Sequence, residues 1–265
     1  MPHPIYIVDA FVCGPFTGNP AAVCLISGKE SAQWMQRVAA EMNLSETAFI
    51  WHLQGNEWVL RWFTPRCEVD LCGHATLAAA HTLWQRGSDH DSIEFHTRSG
   101  VLTAKRDGQG IKLDFPADRP EPLSPEAAAS VQQLVKDKAQ WLGRGRDDAL
   151  VVFTSAEEVR QFQPDFAQIQ ALPYRGLLIT ARGDEEGLDV VSRFFAPTLG
   201  IPEDPVTGAA HCLLAPYWSE VLHKKTLKAR QLSLRGGSLT CTVGENRVYL
   251  SGTCVPYMIG KITLP

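Results

Sequence analysis

The sequence RWFTP at residues 61–65 returns as RFFAP at residues 193–197 of this 265-residue chain. The offset between the two copies is 193 − 61 = 132 residues. Each copy runs into a glycine followed by small residues, a pattern typical of a turn that opens a helix. This repetition indicates that the two halves of the chain share one design, and it decides the fold prediction.

Two further matches follow the first in the same order. GHATLAAAH at residues 73–81 is answered by GAAHCLLA at 208–215, and RSGVLT at 98–103 is answered by RGGSLT at 235–240. Their offsets are 208 − 73 = 135 and 235 − 98 = 137 residues. Ordered matches with nearly constant offsets predict one ancestral domain used twice. A duplicated fold would place two equivalent loops face to face, with a ligand cleft between them.

Bulk properties exclude several classes of protein. The net charge is −4 and the isoelectric point about 6.1, so a nucleic-acid partner is not expected. The chain has no apolar run of about 18 residues and no signal-peptide pattern at its start, which predicts a cytoplasmic protein without a membrane partner. The seven cysteines form no Cys-x-x-Cys pair, so neither a zinc ribbon nor a thioredoxin-like redox motif is expected, and no metal site is predicted.

The predicted fold class is α+β, with two pseudo-repeated lobes. A proline-rich, charged stretch at residues 116–125 separates residues 1–117 from residues 118–265. Each lobe is expected to be a curved, mostly antiparallel sheet around one central helix. The last strand, within residues 255–265, either stays with the second lobe or crosses back onto the first. Neither Gly-x-Gly-x-x-Gly nor a P-loop is present, so no nucleotide cofactor is expected.

Hydrophobic periodicity and capping residues place the individual elements. The predicted helices cover residues 31–42, 74–86 and 125–139, with a further helix from Gly208. Residues 231–235 are predicted as a strand of the second lobe.

The two repeated helix starts are candidate anion sites. Gly73 and Gly208 precede small side chains, and a helix N-terminus offers free backbone N–H groups and partial positive charge. Two such termini could hold a small carboxylate. The alternative is that each glycine only permits a strand-to-helix turn.

Three titratable residues stand near these turns. Glu46 lies among apolar neighbours that would desolvate its carboxylate and raise its pKa toward that of a general base. His74 follows Gly73 at the helix start, and Asp204 precedes the second helix. The alternatives are a solvent-facing acid for Glu46, a structural or capping histidine for His74, and a capping carboxylate for Asp204.

Cys72 is a candidate second base. It aligns with Asp204 at the offset 204 − 72 = 132, so the repeated site would present a thiol from one half and a carboxylate from the other. A helix N-terminus stabilises a thiolate. The alternative is a buried cysteine that acts as a small apolar residue.

Several of these segments also resemble the PhzF-like family of phenazine-biosynthesis proteins. The resemblance rests on six segments in order along the chain: VDAF at 8–11, FTGNPAAV at 16–23, NLSETAF at 43–49, RWFTP at 61–65, EVDLCGHAT at 68–76 and EDPVTG at 203–208. It implies a fold similar to that of diaminopimelate epimerase. It also implies a cofactor-independent isomerase that moves a proton on a small carboxylic acid, commonly as a homodimer.

The resemblance also implies roles for individual residues. Glu46 would be the general acid/base, with His74 and Asp204 as further catalytic residues. Gly73, Gly208 and Ala209 would bind the substrate. Ala209 stands where some phenazine-pathway members have serine, so the resemblance does not imply that the substrate is the same. Cys72 falls where the epimerase has a catalytic cysteine, whereas Asp204 replaces the second cysteine, which disfavours a symmetric two-thiol racemase.

Three hypotheses follow. The first is an isomerase in which Glu46 shuttles the proton while His74 and Asp204 position or stabilise an enol-like intermediate. The second is an epimerase-type reaction with Cys72 as a base. The third is a small-metabolite- or partner-binding protein that retains the cleft without turnover.

Overall fold

The chain folds into two compact units of mixed α+β structure. The computed structural model describes residues 2–136 and 138–263. One unit contains the described residues of Met1–Asp114 and Ser251–Pro265, and the other those of Phe115–Leu250. Within the described residues, no helix is long and apolar enough to traverse a bilayer.

The first unit is built on one extended sheet. Its elements are β1 (His3–Ala10), β2 (Asn19–Leu25), α1 (Ala32–Met42), β3 (Glu46–Gln54), β4 (Glu57–Phe63), β5 (Glu68–Val69), α2 (Gly73–Gln85), β6 (Ser92–Thr97), β7 (Gly100–Asp107), the part of β8 (Gly110–Pro116) up to residue 114, and β18 (Cys254–Ile262). The strands pair in the order β18–β1–β2–β3–β4–β6–β7–β8. All of these neighbours are antiparallel except β2/β3 and β4/β6.

The second unit has the same succession of parallel and antiparallel strand pairs. Its elements are β9 (Glu121–Pro122), α3 (Pro125–Leu134), β10 (Ala139–Arg144), β11 (Asp148–Phe153), α4 (Ala156–Gln161), α5 (Phe166–Gln170), β12 (Gly176–Arg182), β13 (Val190–Ala196), β14 (Ile201–Asp204), α6 (Gly208–Val221), β15 (Thr226–Gln231), β16 (Gly237–Val243) and β17 (Arg247–Gly252), the last up to residue 250. Its strand order is β9–β10–β11–β12–β13–β15–β16, with parallel pairs at β11/β12 and β13/β15. The shared order of parallel and antiparallel pairs confirms the predicted pseudo-repeat of the fold.

Each unit buries one apolar helix. In α2 most side chains from Gly73 to Leu83 are buried, which is the pattern of a helix covered on all sides. This helix packs against β1, β2, β3, β7 and β18, so the sheet curves around it. In the second unit α6 is buried in the same way and packs on β15 and β16. The predicted central helices are therefore both present.

The repeated RWFTP and RFFAP segments lie at the ends of the equivalent strands β4 and β13 and have the same side-chain arrangement. Arg61 Nε and Nη2 donate to the Glu68 carboxylate at 2.7 and 2.8 Å, and Arg193 donates in the same way to Glu203 at 2.7 and 3.0 Å. Each guanidinium also lies over a phenylalanine ring two residues along its strand. The sequence repeat thus reflects a repeated, half-buried arginine fork.

Two predicted elements differ from the structure. The strand predicted at 231–235 is wrong because β15 ends at Gln231, and the chain then turns through Gly236, whose φ is +67°. The helix predicted over 125–139 ends at Leu134, and Ala139 begins β10. Residue 137 in that helix, and residues 264 and 265 of the predicted last strand, lie outside the described residues. The described part of that strand, β18, pairs with β1.

Candidate active site

Glu46 is placed by the end of α1. Asn43 terminates the helix in the left-handed region, with φ +50°, and its N–H bonds back to the carbonyl of Ala39. Such a C-cap turns the chain sharply, and β3 begins three residues later at Glu46. In the parallel β2/β3 pair, Glu46 lies opposite Ala21. The Glu46 carboxylate therefore stands at the starting end of two adjacent strands.

Asn19 is placed at the same end of the sheet by a glycine. Gly18 has a φ of +82°, and a side chain there would put a Cβ only 2.5 Å from the carbonyl oxygen of Ala10. Glycine alone adopts such a conformation at this spacing without strain. The turn delivers Asn19, which is fully buried, as the first residue of β2.

The start of α2 supplies the other two side chains. Cys72 is the N-cap residue and makes no side-chain capping bond, whereas Gly73 and His74 are the first two helical residues. Cys72 and His74 are both buried. Because the first N–H groups of a helix have no intrahelical acceptor, this end of α2 carries partial positive charge.

These elements gather polar groups around the two nitrogens of one imidazole. His74 Nε2 lies 3.2 Å from Glu46 Oε2. His74 Nδ1 lies 3.3 Å from Asn19 Nδ2 and 3.5 Å from Cys72 Sγ. The His74 and Glu46 side chains are 5% and 13% exposed. The four residues thus form a cluster, the His74 cluster, in which each ring nitrogen has its own neighbours.

Burial controls the charge of this imidazole. Desolvation lowers the pKa of His74 to about 3, so the ring is neutral at pH 7. The Nε2 atom is within ion-pair distance of Glu46, but it is not aligned for a hydrogen bond with any described residue. His74 Nε2, beside the Glu46 carboxylate, can therefore form a hydrogen bond with a third group such as a ligand.

The geometry bears on metal binding. Ligand atoms of Glu46, Cys72 and His74 lie within 4.8 Å of one another, and thiolate, imidazole and carboxylate are all zinc ligands. However, Cys72 and Asn19 face Nδ1 whereas Glu46 faces Nε2. A metal on Nδ1 would meet the amide donor of Asn19, and a metal on Nε2 would lie on the far side from the thiol. Glu46 and Cys72 therefore lie beside different nitrogens of the imidazole, which disfavours a three-ligand metal site.

Asp204 ends β14 in the second unit and is buried. Its carboxylate accepts a hydrogen bond from the Thr207 hydroxyl, and its carbonyl accepts one from Gln231 Nε2 at 2.7 Å. The Gln231 Oε1 atom accepts from the Thr207 N–H at 2.9 Å. The segment before α6 is therefore fixed by a buried glutamine on β15. Thr207, not Asp204, is the N-cap residue of α6.

The start of α6 carries the remaining candidates. Gly208 is buried and Ala209 half-buried, as the first two residues of the helix. His211 donates from Nδ1 to the Thr207 carbonyl at 2.8 Å, and burial lowers the pKa of His211 to about 4. This histidine is therefore neutral at pH 7.

The structure brings together the candidates of the first unit, namely Glu46, Cys72, Gly73 and His74. It places Asp204, Gly208 and Ala209 together in the second unit. Sequence reasoning missed Asn19 and Gln231. Asn19 lies within the FTGNPAAV segment of the resemblance, but its buried side chain becomes informative only once the β2/β3 register is known.

The chain matches a protein family over nearly its whole length. The family model for phenazine biosynthesis-like protein covers residues 8–260. The chain belongs to this family. A relative from Halalkalibacterium halodurans, named an uncharacterized isomerase, is 44% identical over 273 residues, with both chains covered completely. An isomerase role follows for the chain.

Solved structures agree with this assignment. A PhzF-family phenazine biosynthesis protein from Enterococcus faecalis is 42% identical and superimposes over all of both chains with a TM-score of 0.91. A hydroxyproline epimerase from Agrobacterium vitis, 10% identical, has a TM-score of 0.61, with 98% of this chain and 92% of the epimerase covered. The second likeness shows that the fold is shared with epimerases.

Proposed function

We propose that this isomerase moves a proton on a small carboxylic acid without a cofactor, with Glu46 as the general acid/base. The observation that carries the proposal is the contact between the Glu46 carboxylate and the neutral, buried imidazole of His74. The Glu46 carboxylate can accept a proton, and the neutral imidazole of His74 can donate a hydrogen bond. This pair suits the removal of a proton from a carbon adjacent to a carbonyl or carboxyl group.

The proposed reaction has two balanced steps. Glu46 takes a proton from a substrate carbon, the C–H electron pair moves into an enolate, and the carboxylate becomes a carboxylic acid. Glu46 then returns the proton to another position, and the double bond moves accordingly. No electrons are gained or lost, so the chemistry calls for no redox cofactor.

His74 is proposed to stabilise the enolate. Its Nε2 has no aligned hydrogen-bond acceptor among the described residues, so an N–H there can donate to a substrate oxygen. Because the ring is buried, such a hydrogen bond is stronger than it would be in water. A neutral imidazole also donates without protonating the intermediate irreversibly.

The carboxyl group of the substrate is proposed to bind at the N-terminal ends of helices. Gly73 at the start of α2 lets a carboxylate approach backbone N–H groups that are positively polarised. In the second unit, Gly208 and Ala209 are assigned the same role for the substrate. Asp204, fixed by Thr207 and Gln231, is assigned to positioning it.

The test is deuterium wash-in from heavy water, followed by proton NMR, with a panel of small carboxylic acids. Wild type should exchange one carbon-bound hydrogen of its substrate, and Glu46→Gln should lose the exchange while keeping ligand-induced thermal stabilisation. Exchange that persists in Glu46→Gln would refute the assignment. Stabilisation without exchange in wild type would favour the alternative of a binding protein.

We also propose that the chain forms a homodimer through β18. Five successive residues of this strand, 255–259, are exposed, and Tyr257 and Ile259 have exposed fractions of 65% and 64%. An exposed apolar strand is typical of an interaction surface. In sedimentation equilibrium, wild type should be a dimer and Ile259→Lys should shift toward monomer. A wild-type monomer at micromolar concentration would refute the proposal.

A further inference from the structure

The proton on His74 can be located from its neighbours. A neutral imidazole carries its proton on one nitrogen and accepts hydrogen bonds on the other. Asn19 Nδ2 lies 3.3 Å from His74 Nδ1, and both side chains are buried. An amide nitrogen can only donate, so His74 Nδ1 must accept and its proton must reside on Nε2.

We propose that Asn19 is a positioning residue that fixes His74 in the tautomer with the proton on Nε2. The inference concerns a residue outside the set of predicted site residues, and it rests on the proposed function only for its effect on turnover. The opposite tautomer would set an N–H of the ring against the N–H group of the amide, a repulsive contact in a buried place.

The surroundings of the other nitrogen support the same tautomer. Nε2 faces the Glu46 carboxylate at 3.2 Å. A proton on Nε2 is attracted by that carboxylate, whereas a lone pair there would be repelled by it. Both sides of the ring therefore favour one arrangement of the proton.

Cys72 is compatible with this arrangement. Its Sγ lies 3.5 Å from His74 Nδ1. With Nδ1 unprotonated, the thiol is the member of that pair that can donate. Burial also lowers the pKa of His74 to about 3, which disfavours a pair of thiolate and imidazolium. Because Nδ1 has a single in-plane lone pair, the thiol shares it with the Asn19 amide as the weaker and more distant donor.

Asn19 is held rigidly enough for this role. It lies opposite Ala10 in the antiparallel β1/β2 ladder, and Gly18 fixes the turn before it. A donor fixed by the backbone orients the ring before substrate binds, so Nε2–H is already directed for the enolate.

The direct test is a two-bond proton–nitrogen NMR spectrum of histidine-labelled wild type at pH 7. His74 should show an unprotonated Nδ1 and a protonated Nε2. His211 provides an internal reference, because its Nδ1 donates to the Thr207 carbonyl and must show the opposite tautomer. The signals are assigned with His74→Gln and His211→Gln. A proton on Nδ1 of wild-type His74 would overturn the inference, whatever the role of Glu46.

A second measurement tests the consequence for turnover. In Asn19→Asp, the carboxylate accepts rather than donates, so the His74 signal should change to a protonated Nδ1. Deuterium exchange should fall by about 10²-fold or more, given the usual size of acid–base effects. A folded Asn19→Asp protein that keeps the wild-type tautomer would contradict the role of Asn19. If the spectra behave as expected but Glu46→Gln still exchanges deuterium, the proposed function fails and the tautomer assignment stands.

Discussion

Glu46 Oε2 and His74 Nε2 lie 3.2 Å apart, although Glu46 is the first residue of a strand and His74 is the second residue of a helix. The contact follows from the parallel β2/β3 register and from the packing of α2 on both strands. Neither residue has a local sequence signal that predicts the contact. The candidate site therefore depends on the starts of β2, β3 and α2 lying close together.

Cys72 distinguishes two of the hypotheses. In our proposal its thiol donates to His74 and is not a base, so Cys72→Ala should retain deuterium exchange within about tenfold of wild type. Cys72→Ser, which keeps a donor, should lie closer to wild type. A loss as large as that in Glu46→Gln, with normal folding by circular dichroism, would instead make Cys72 a base.

Stability should fall as the pH is lowered from neutrality. His74 and His211 have folded pKa values of about 3 and about 4, below the value near 6.5 of an unfolded histidine. The stabilisation of the fold by these two neutral histidines is complete above about pH 6.5. It is lost as the pH falls from about 6.5 toward the folded pKa values, because the unfolded chain binds more protons than the folded chain in this range. Between pH 7 and pH 5, the two histidines together should lower the free energy of unfolding by about 4 kcal/mol.

Urea unfolding across this pH range measures the effect. His211→Gln should reduce the pH dependence of the free energy of unfolding by about one proton, or about 1.4 kcal/mol per pH unit. Stability that is flat from pH 7 to pH 5 would contradict the burial of neutral histidines.

The repeated arginine forks should stabilise their own units. Arg61→Lys and Arg193→Lys keep the charge but lose the two-pronged geometry and the ring stacking, and each should cost about 1–3 kcal/mol. Arg193→Lys should cost more, because Arg193 also donates to the carbonyl of Phe162 at 2.7 Å. The control is Arg144→Lys, since its exposed pair with Glu121 should change stability by less than about 1 kcal/mol. Equal effects of all three substitutions on urea midpoints would contradict this expectation.

The repeat was the most predictable part of the structure. Arg61 and Arg193 head the same phrase in the sequence because they form the same ion pair in two units. A glycine followed by small residues likewise predicts the starts of α2 and α6. Local signals of this kind depend on the backbone nearby, so they are readable without the fold.

Residues that act through long-range pairing were not predictable in the same way. Asn19 reaches His74 only through the turn at Gly18 and the packing of α2 on β2. Gln231 begins the predicted strand but ends β15, and its hydrogen bonds to the segment before α6 depend on long-range packing. A buried polar side chain shows its purpose only when its partners are located.

Glu46→Gln compared with Glu57→Gln tests the central claim most directly. Glu57 also faces a histidine, with Oε2 3.0 Å from His96 Nε2, but this pair is 31% and 39% exposed and lies outside the His74 cluster. Deuterium incorporation into the substrate should fall by about 10²-fold or more in Glu46→Gln and stay near wild type in Glu57→Gln. Equal rates in the two folded variants would show that Glu46 does not carry the proton.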